Sequence, residues 1–272
     1  MALCHNDLRT LLEGTSVIFK NEAPLIRISS ANAMIIGDIH GNIKALEFIL
    51  RMYQEMGCED VIFLGDYVDR GQDSVAVLCR LLELKLKNER NIILLKGNHE
   101  TQEMNSIYGL YDEIQDHDLF LFANSIFQEM PVAALLNNTI FCVHGGIPGV
   151  VDIKEMTKEN SFPYLWNDPS NLPGMTASTR GIRPECFGPD VFHDFMRLNG
   201  LSLMIRAHTA YFRGYAWLFD KRLLSIFSSP GYTGIKNTGT FATVKGNEAS
   251  VFVFGQDEEG RDENYRIITL DK

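Results

Sequence analysis

Ala33-Met34-Ile35-Ile36-Gly37-Asp38-Ile39-His40-Gly41 is the stretch that decides the fold of this chain. Four apolar residues in succession, without polar alternation, read as a strand buried on both faces. A glycine then ends the run, and an aspartate and a histidine follow on the turn. The same order recurs twice. Val61-Ile62-Phe63-Leu64 leads into Gly65-Asp66-Tyr67-Val68-Asp69-Arg70-Gly71, and Ile92-Ile93-Leu94-Leu95 leads through Lys96 into Gly97-Asn98-His99-Glu100. Core strands thus deliver Asp, His and Asn to their ends on glycine-flanked turns.

Two later runs extend the set. Thr139-Ile140-Phe141-Cys142-Val143 ends at His144-Gly145-Gly146, and Ser202-Leu203-Met204-Ile205 leads to Arg206-Ala207-His208. Four of the seven histidines, His40, His99, His144 and His208, therefore follow an apolar run or its turn, whereas His5, His117 and His193 lack that context. Imidazoles mixed with carboxylates suit Mn, Fe or Zn better than the all-oxygen shells of Mg or Ca. One carboxylate can bridge two ions roughly 3.5–4 Å apart, and such a pair polarises a phosphoryl oxygen and ionises a water. Nearby arginines can grip the remaining phosphate oxygens, and a protonated histidine can supply the proton a departing alkoxide needs. The pattern points to metal-assisted hydrolysis of a phosphate ester.

Between the polar clusters lie helical signals. Ile43, Leu46, Ile49, Leu50 and Tyr53 recur at helical spacing before Gly57, and Ser74 to Lys87 repeats the pattern with Val75, Leu78, Leu81 and Leu82. Strand, turn and helix alternate through the first hundred residues, which predicts an α/β architecture with parallel strands. An opening helix is expected from Leu8 to Phe19 with Asn6 or Asp7 as its cap, then an extended path after Pro24. Helices are expected at Asp118–Met130 and Asp190–Leu198, a loop at Asp168–Gly181, and antiparallel strands from Leu223 to Phe254. The sum is a sheet-on-sheet core flanked by helices.

Bulk properties narrow the classes. The 272 residues, 45% of them hydrophobic, can bury a sizeable core, and no linker, repeat or low-complexity tract divides them, so residues 1–272 read as a single domain. With 25 Lys+Arg against 35 Asp+Glu the net charge is −10, and no dense basic run marks a nucleic-acid or anionic-membrane partner. No apolar stretch is long enough for a membrane span, and the N-terminus lacks the basic-then-apolar layout of a signal peptide. Five dispersed cysteines, never in CxxC pairs, suit reduced thiols and a cytoplasmic or nuclear location.

Together the motifs resemble the signature set of the phosphoprotein phosphatase family, the dinuclear-metal serine/threonine phosphatases that include the type-1, type-2A and calcineurin catalytic subunits. Ser229-Pro-Gly-Tyr232 is the sixth of these motifs, and the likeness also takes in Glu22-Ala-Pro-Leu-Ile, Asn105-Ser-Ile-Tyr-Gly-Leu-Tyr-Asp-Glu and Leu165-Trp-Asn-Asp168-Pro. Six motifs in order at compatible spacing carry it through nearly the whole chain. The resemblance implies a calcineurin-like metallophosphoesterase fold: a central β-sandwich of two mixed sheets flanked by helices.

It also implies roles. Asp38, His40 and Asp66 would hold one divalent ion; Asp66, Asn98, His144 and His208 would hold the second, with Asp66 shared. Manganese is the ion expected in vitro, with iron or zinc as native candidates. His99 would be the general acid, oriented by Asp69. Arg70, Arg180, Asn98 and Tyr232 would bind the phosphate, and Asp168 would orient an arginine. A metal-activated water would attack phosphorus without a phosphoenzyme. Phosphoprotein substrates and regulatory or targeting subunits are the implied partners. Gly231-Tyr232-Thr233-Gly234 departs from the family's usual Asn-Tyr-Cys-Gly, and Gly174-Met-Thr-Ala-Ser-Thr before Arg180 lacks the family's common Trp. Two alternatives stand beside this expectation: a symmetrical dinucleoside-tetraphosphate hydrolase, and a non-catalytic scaffold relative.

Overall fold

The computed structural model describes residues 5–255 and 265–271. Two six-stranded sheets stack face to face. The first runs β1 (Leu25–Ile28), β5 (Ala133–Leu136), β6 (Ile140–Val143), β10 (Leu203–Arg206), β12 (Leu223–Ile226) and β11 (Tyr215–Leu218). The second runs β15 (Arg266–Asp271), β14 (Glu248–Gly255), β13 (Gly239–Lys245), β2 (Asn32–Ile36), β3 (Asp60–Phe63) and β4 (Ile92–Leu94). Parallel β2, β3 and β4 are linked through helices α2 (Ile43–Glu55) and α3 (Ser74–Lys87), as the short crossovers require.

Burial on both faces explains the unbroken apolar runs. Ala33 and Ile35 of β2, Ile62 of β3 and Ile93 of β4 point into the inter-sheet core, where they meet Leu136, Ile140, Cys142, Ile205 and Leu224 of the other sheet. Their alternates Met34, Ile36, Val61, Phe63, Ile92 and Leu94 face outward under α1 (His5–Asn21), α2, α3, α5 (Leu110–Ile114) and α6 (His117–Phe127). A third cluster, with Phe141, Met204, Phe192 and Phe195, packs α8 (Pro189–Leu198) on the far side of the first sheet. Helices, sheet, sheet, helix is the layer order, the sandwich expected from the sequence. Among the described residues no helix is long and apolar enough to cross a membrane.

Three local expectations change. The first helix is described from His5, so Asn6 and Asp7 lie inside it, with Asp7 in the first turn where a negative charge favours the helix dipole. The loop at Asp168–Gly181 holds two short strands, β7 (Asp168–Pro169) and β8 (Met175–Ala177), which flank β9 (Glu185–Phe187) in a small third sheet. In the tail, β13 and β14 pair antiparallel as expected, and β12 (Leu223–Ile226) is antiparallel to β11 on one side but parallel to β10 on the other. Leucine and isoleucine at 223–226 satisfy either direction; the inter-sheet core selects the neighbour.

Candidate active site

All the sequence-singled clusters meet at one end of the sandwich. Asp38 and His40 follow β2, Asp66 follows β3, and Asn98 and His99 follow β4, at the carboxyl ends of parallel strands where α/β sheets place their ligands. His144 and His208 follow β6 and β10 of the other sheet, themselves a parallel pair. The sheets are tied there directly: the His208 backbone N–H donates to Asp38 Oδ1 at 2.9 Å. The Ile39 and His40 N–H groups both donate to the Asp66 carbonyl at 2.9 Å, joining the first two turns. Gly97 is demanded by the next turn, since a Cβ there would lie 2.2 Å from Asp66 Oδ1.

The turns are held in costly backbone conformations. His40, Asp66, Asp69, Arg70 and His208 all have φ between 47° and 68°. A non-glycine residue in that region costs roughly 1–3 kcal/mol, and such residues concentrate where function fixes geometry. Here hydrogen bonds from surrounding groups over-determine the loops.

Asp66 sits at the centre. Its Oδ2 lies 3.5 Å from His40 Nε2, and its Oδ1 lies 3.4 Å from His144 Nε2. Oδ1 also accepts the His99 N–H at 2.8 Å. On one side, His40 Nε2 lies 3.6 Å from Asp38 Oδ2. On the other, His144 Nε2 is 2.9 Å from Asn98 Oδ1 and 3.1 Å from His208 Nδ1. His40 and His144 each turn Nδ1 to a backbone carbonyl, of Val68 at 2.9 Å and Leu64 at 3.1 Å, which leaves Nε2 facing the cluster.

Carboxylates, an amide oxygen and imidazole nitrogens thus aim at two shared points in a buried site. Such a gathering of lone pairs holds together only around positive charge. Burial by itself would lower His40, but the hydrogen bond with Asp38 and the charges of Asp66 and Asp38 raise it to about 9. Likewise, burial opposes a charge on His144 and Asp66 overrides it, raising its pKa. His208 goes the other way, driven well down by burial and by the positive charge of Arg180. Its Nδ1 faces the cluster, 3.1 Å from His144 Nε2, where its lone pair can meet a metal, while the buried Nε2 finds no partner. The residues fit a pair of divalent ions. His40, Asp66 and His99 present donor atoms within 4.8 Å of one another, as do Asp66, His144 and His208.

His99 has a second partner. Its Nδ1 lies 2.7 Å from Asp69 Oδ2, while Asp69 Oδ1 accepts the Leu110 N–H at 2.9 Å. The buried carboxylate therefore fixes the ring and keeps a proton on Nδ1. A cleft of about 440 Å³ opens over these groups, with Arg70, Arg180, Tyr232, Tyr108 and Trp166 on its walls. The exposed Arg70 guanidinium lies 3.7 Å from the Tyr108 ring centroid. Tyr232 stacks on His40 with centroids 4.9 Å apart, and burial raises its phenol above the usual range. Arg180 reaches the cleft from a stretch without helix or strand, with Nε on Asp168 Oδ2 and Nη2 on the His208 carbonyl at 3.0 Å.

Every sequence-singled site residue lies in or beside this cleft. Several supporting residues escaped the sequence reading. Glu100 is completely buried, and its carboxylate accepts the N–H groups of Asp66, Tyr67 and Gly97 at 2.8–2.9 Å, clamping the second and third turns together. Burial and the nearby Asp66 charge raise it to about 7. Trp166 meets His208 edge-on at 5.8 Å. Both stand inside quoted motifs, yet nothing in their spacing separates a clamp or a wall from filler.

The fold and site define a metallophosphoesterase. The calcineurin-like phosphoesterase family matches residues 31–212, and the chain belongs to that family. Within it the likeness is to the phosphoprotein phosphatases. A protein serine/threonine phosphatase from Saccharomyces cerevisiae, with similarity to human phosphatase PP5, superposes with a TM-score of 0.82 at 26% identity, covering 99% of this chain and 90% of its own. A cold-active protein-tyrosine phosphatase of a psychrophilic Shewanella species gives 0.62 at 15% identity over 93% of this chain and 84% of that one. A putative diadenosine tetraphosphatase gives 0.53 at 16% identity over 85% and 98%. The last two share the fold.

Proposed function

We propose that this chain is a serine/threonine protein phosphatase that hydrolyses phosphoserine and phosphothreonine monoesters by direct attack of water on phosphorus. One observation carries the reading: a cluster of lone pairs centred on Asp66 lies beside a histidine whose Nδ1 is locked by a buried aspartate. Two divalent ions, when held by Asp38, His40 and Asp66 and by Asp66, Asn98, His144 and His208, supply polarisation of the phosphoryl oxygen and ionisation of a water. Manganese suits the donor set, as do iron and zinc.

The chain's own residues do the rest. Arg70 and Arg180 approach the cleft from opposite loops and can share the non-bridging phosphate oxygens, with Tyr232 and Asn98 adding hydrogen bonds. His99 holds a proton at Nε2 for the leaving alkoxide, while Asp69 at Nδ1 stabilises the cation until transfer. A seryl or threonyl oxygen is a poor leaving group without that proton. Trp166 and Tyr108 form part of the cleft wall. Residues 1–272 serve as one catalytic domain in this reading, because the site is built from the ends of both sheets. Phosphoproteins are its substrates, regulatory or targeting subunits its further partners, and the cytoplasm or nucleus its setting.

The Mn²⁺-loaded protein should cleave a phosphoserine peptide faster than a phosphotyrosine peptide or a dinucleoside tetraphosphate in parallel assays. Exclusive cleavage of the nucleotide would overturn the assignment in favour of a dinucleoside-tetraphosphate hydrolase. Loss of all three activities with metal retained would indicate a scaffold.

A further inference from the structure

Arg206 is completely buried, an uncommon place for a guanidinium unless each donor is matched. Its Nε donates to the Gly145 carbonyl at 2.6 Å, one residue beyond His144. Nη1 donates to Thr209 Oγ1 at 2.6 Å and Ser225 Oγ at 3.3 Å. Nη2 donates to Asp168 Oδ1 at 2.8 Å. Thr209 completes the arrangement, its hydroxyl donating to the same Asp168 Oδ1 at 3.1 Å.

These bonds divide the Asp168 carboxylate into two jobs. Oδ1 is anchored in the interior by Arg206 and Thr209, with Arg180 Nη2 at a longer 3.4 Å, while Oδ2 takes Arg180 Nε. Besides Asp168, Arg180 is held through Nη2, which donates to the His208 carbonyl at 3.0 Å and to Thr209 Oγ1 at 3.4 Å. Residues 178–184 form no helix or strand, and the neighbouring Ile182 is fully exposed. A flexible arginine on such a stretch occupies many rotamers, and ordering it at the moment of binding would weaken phosphate capture. The carboxylate beneath it removes part of that cost, but only if the carboxylate is itself fixed.

We propose that Arg206 is a positioning residue for phosphate binding: by anchoring Asp168 it sets where Arg180 presents its guanidinium. The proposal rests on Arg180 being a phosphate ligand. It assigns Arg206 no contact with substrate. The buried arginine also spans Gly145 and Thr209, so one side chain coordinates the phosphate-binding loop with the strand ends that carry His144 and His208.

A double-mutant cycle separates this role from simple structural support. Arg206→Met, Asp168→Asn and Arg180→Ala, singly and paired with Arg180→Ala, are measured as Mn²⁺-loaded proteins. The readouts are kcat and KM on a phosphoserine peptide, inorganic phosphate binding by calorimetry, metal content and Tm. Arg206→Met should weaken phosphate binding and raise KM about tenfold, with a smaller change in kcat and full metal content, because one charge-assisted contact is lost. In the Arg180→Ala background the same substitution should change phosphate binding less than about twofold. Arg206→Lys should recover part of the loss, since it restores charge but not the fork. Unchanged phosphate binding in Arg206→Met, or losses that multiply with Arg180→Ala, would overturn the proposal. If Arg206→Met does not fold, Arg206→Lys decides the question in its place: it must weaken phosphate binding in the wild-type background and leave it unchanged in Arg180→Ala, and equal losses in both backgrounds would overturn the proposal. Phosphate calorimetry does not depend on turnover, so a protein that shows the coupling without cleaving the peptide would sink the phosphatase reading alone.

Discussion

Asp66 presents different oxygens to His40 and His144, and that division makes it hard to replace. In Asp66→Asn one of the two faces becomes an N–H₂ donor, so one ion-binding half loses its shared ligand and the site loses a negative charge. Turnover should fall by at least about 100-fold, with divalent-ion content per protein dropping in parallel by elemental analysis. His99→Asn should behave differently. The Asp69–His99 pair stands beside the cluster as a proton donor, so kcat should fall roughly 10²–10⁴-fold while metal content stays near wild type. Equal metal loss in both variants would show that His99 acts as a ligand and not as the acid. These residues were legible in the sequence because Gly-Asp, Asn-His and His-Gly each stand directly after an apolar run. Glu100 and Arg206 were not, because their partners are backbone N–H groups, a carbonyl and a carboxylate brought close only by folding.

Elements show the same division between local pattern and tertiary choice. The α3 bounds, Ser74–Lys87, follow from its spacing, but its N-terminal cap does not come from its own sequence. Asp73 occupies the cap position without a side-chain bond, and Glu113 from α5 instead accepts the Ser74 and Val75 N–H groups at 2.8 and 2.7 Å. A carboxylate there satisfies two unpaired donors and complements the helix dipole. Glu113→Ala should therefore cost about 1–2 kcal/mol and lower Tm by several degrees, as seen by circular dichroism. An unchanged Tm would mean that water caps α3 equally well. The β-elements divide similarly. β2, β3, β4 and β6 announce themselves through unbroken apolar runs, since both faces are covered. β11, with all four residues half-buried at a sheet edge, and the two- and three-residue strands β7 and β8 carry too little pattern to declare themselves. Their pairing is set by neighbours more than by propensity.

At the scale of the molecule, stability depends on two sheets and a helical layer staying closed over groups that are neutral inside. Cys142 lies between the sheets, and Cys79 lies on α3 against the second sheet. Burial pushes both thiols up to about 12 from an ordinary value near 9. The sign follows from proton binding. Above pH 9 the unfolded chain releases these protons while the folded chain keeps them, so the native state binds more protons and stability falls as pH rises. The loss should begin near pH 9 and continue toward 12. Urea midpoints measured across that window should decline, and Cys79→Ala/Cys142→Ala should decline less steeply while starting from a lower stability, because truncating buried thiols leaves small cavities. The same burial predicts chemistry below pH 9: an alkylating reagent should modify half-buried Cys186 and Cys58 in the native protein and reach Cys79 and Cys142 only with unfolding. Native-state labelling of Cys142 at the rate of Cys186 would show that the sheets part on their own. It would also undercut the geometry of the site, because Asp38, His144 and His208 meet only while those sheets remain in contact.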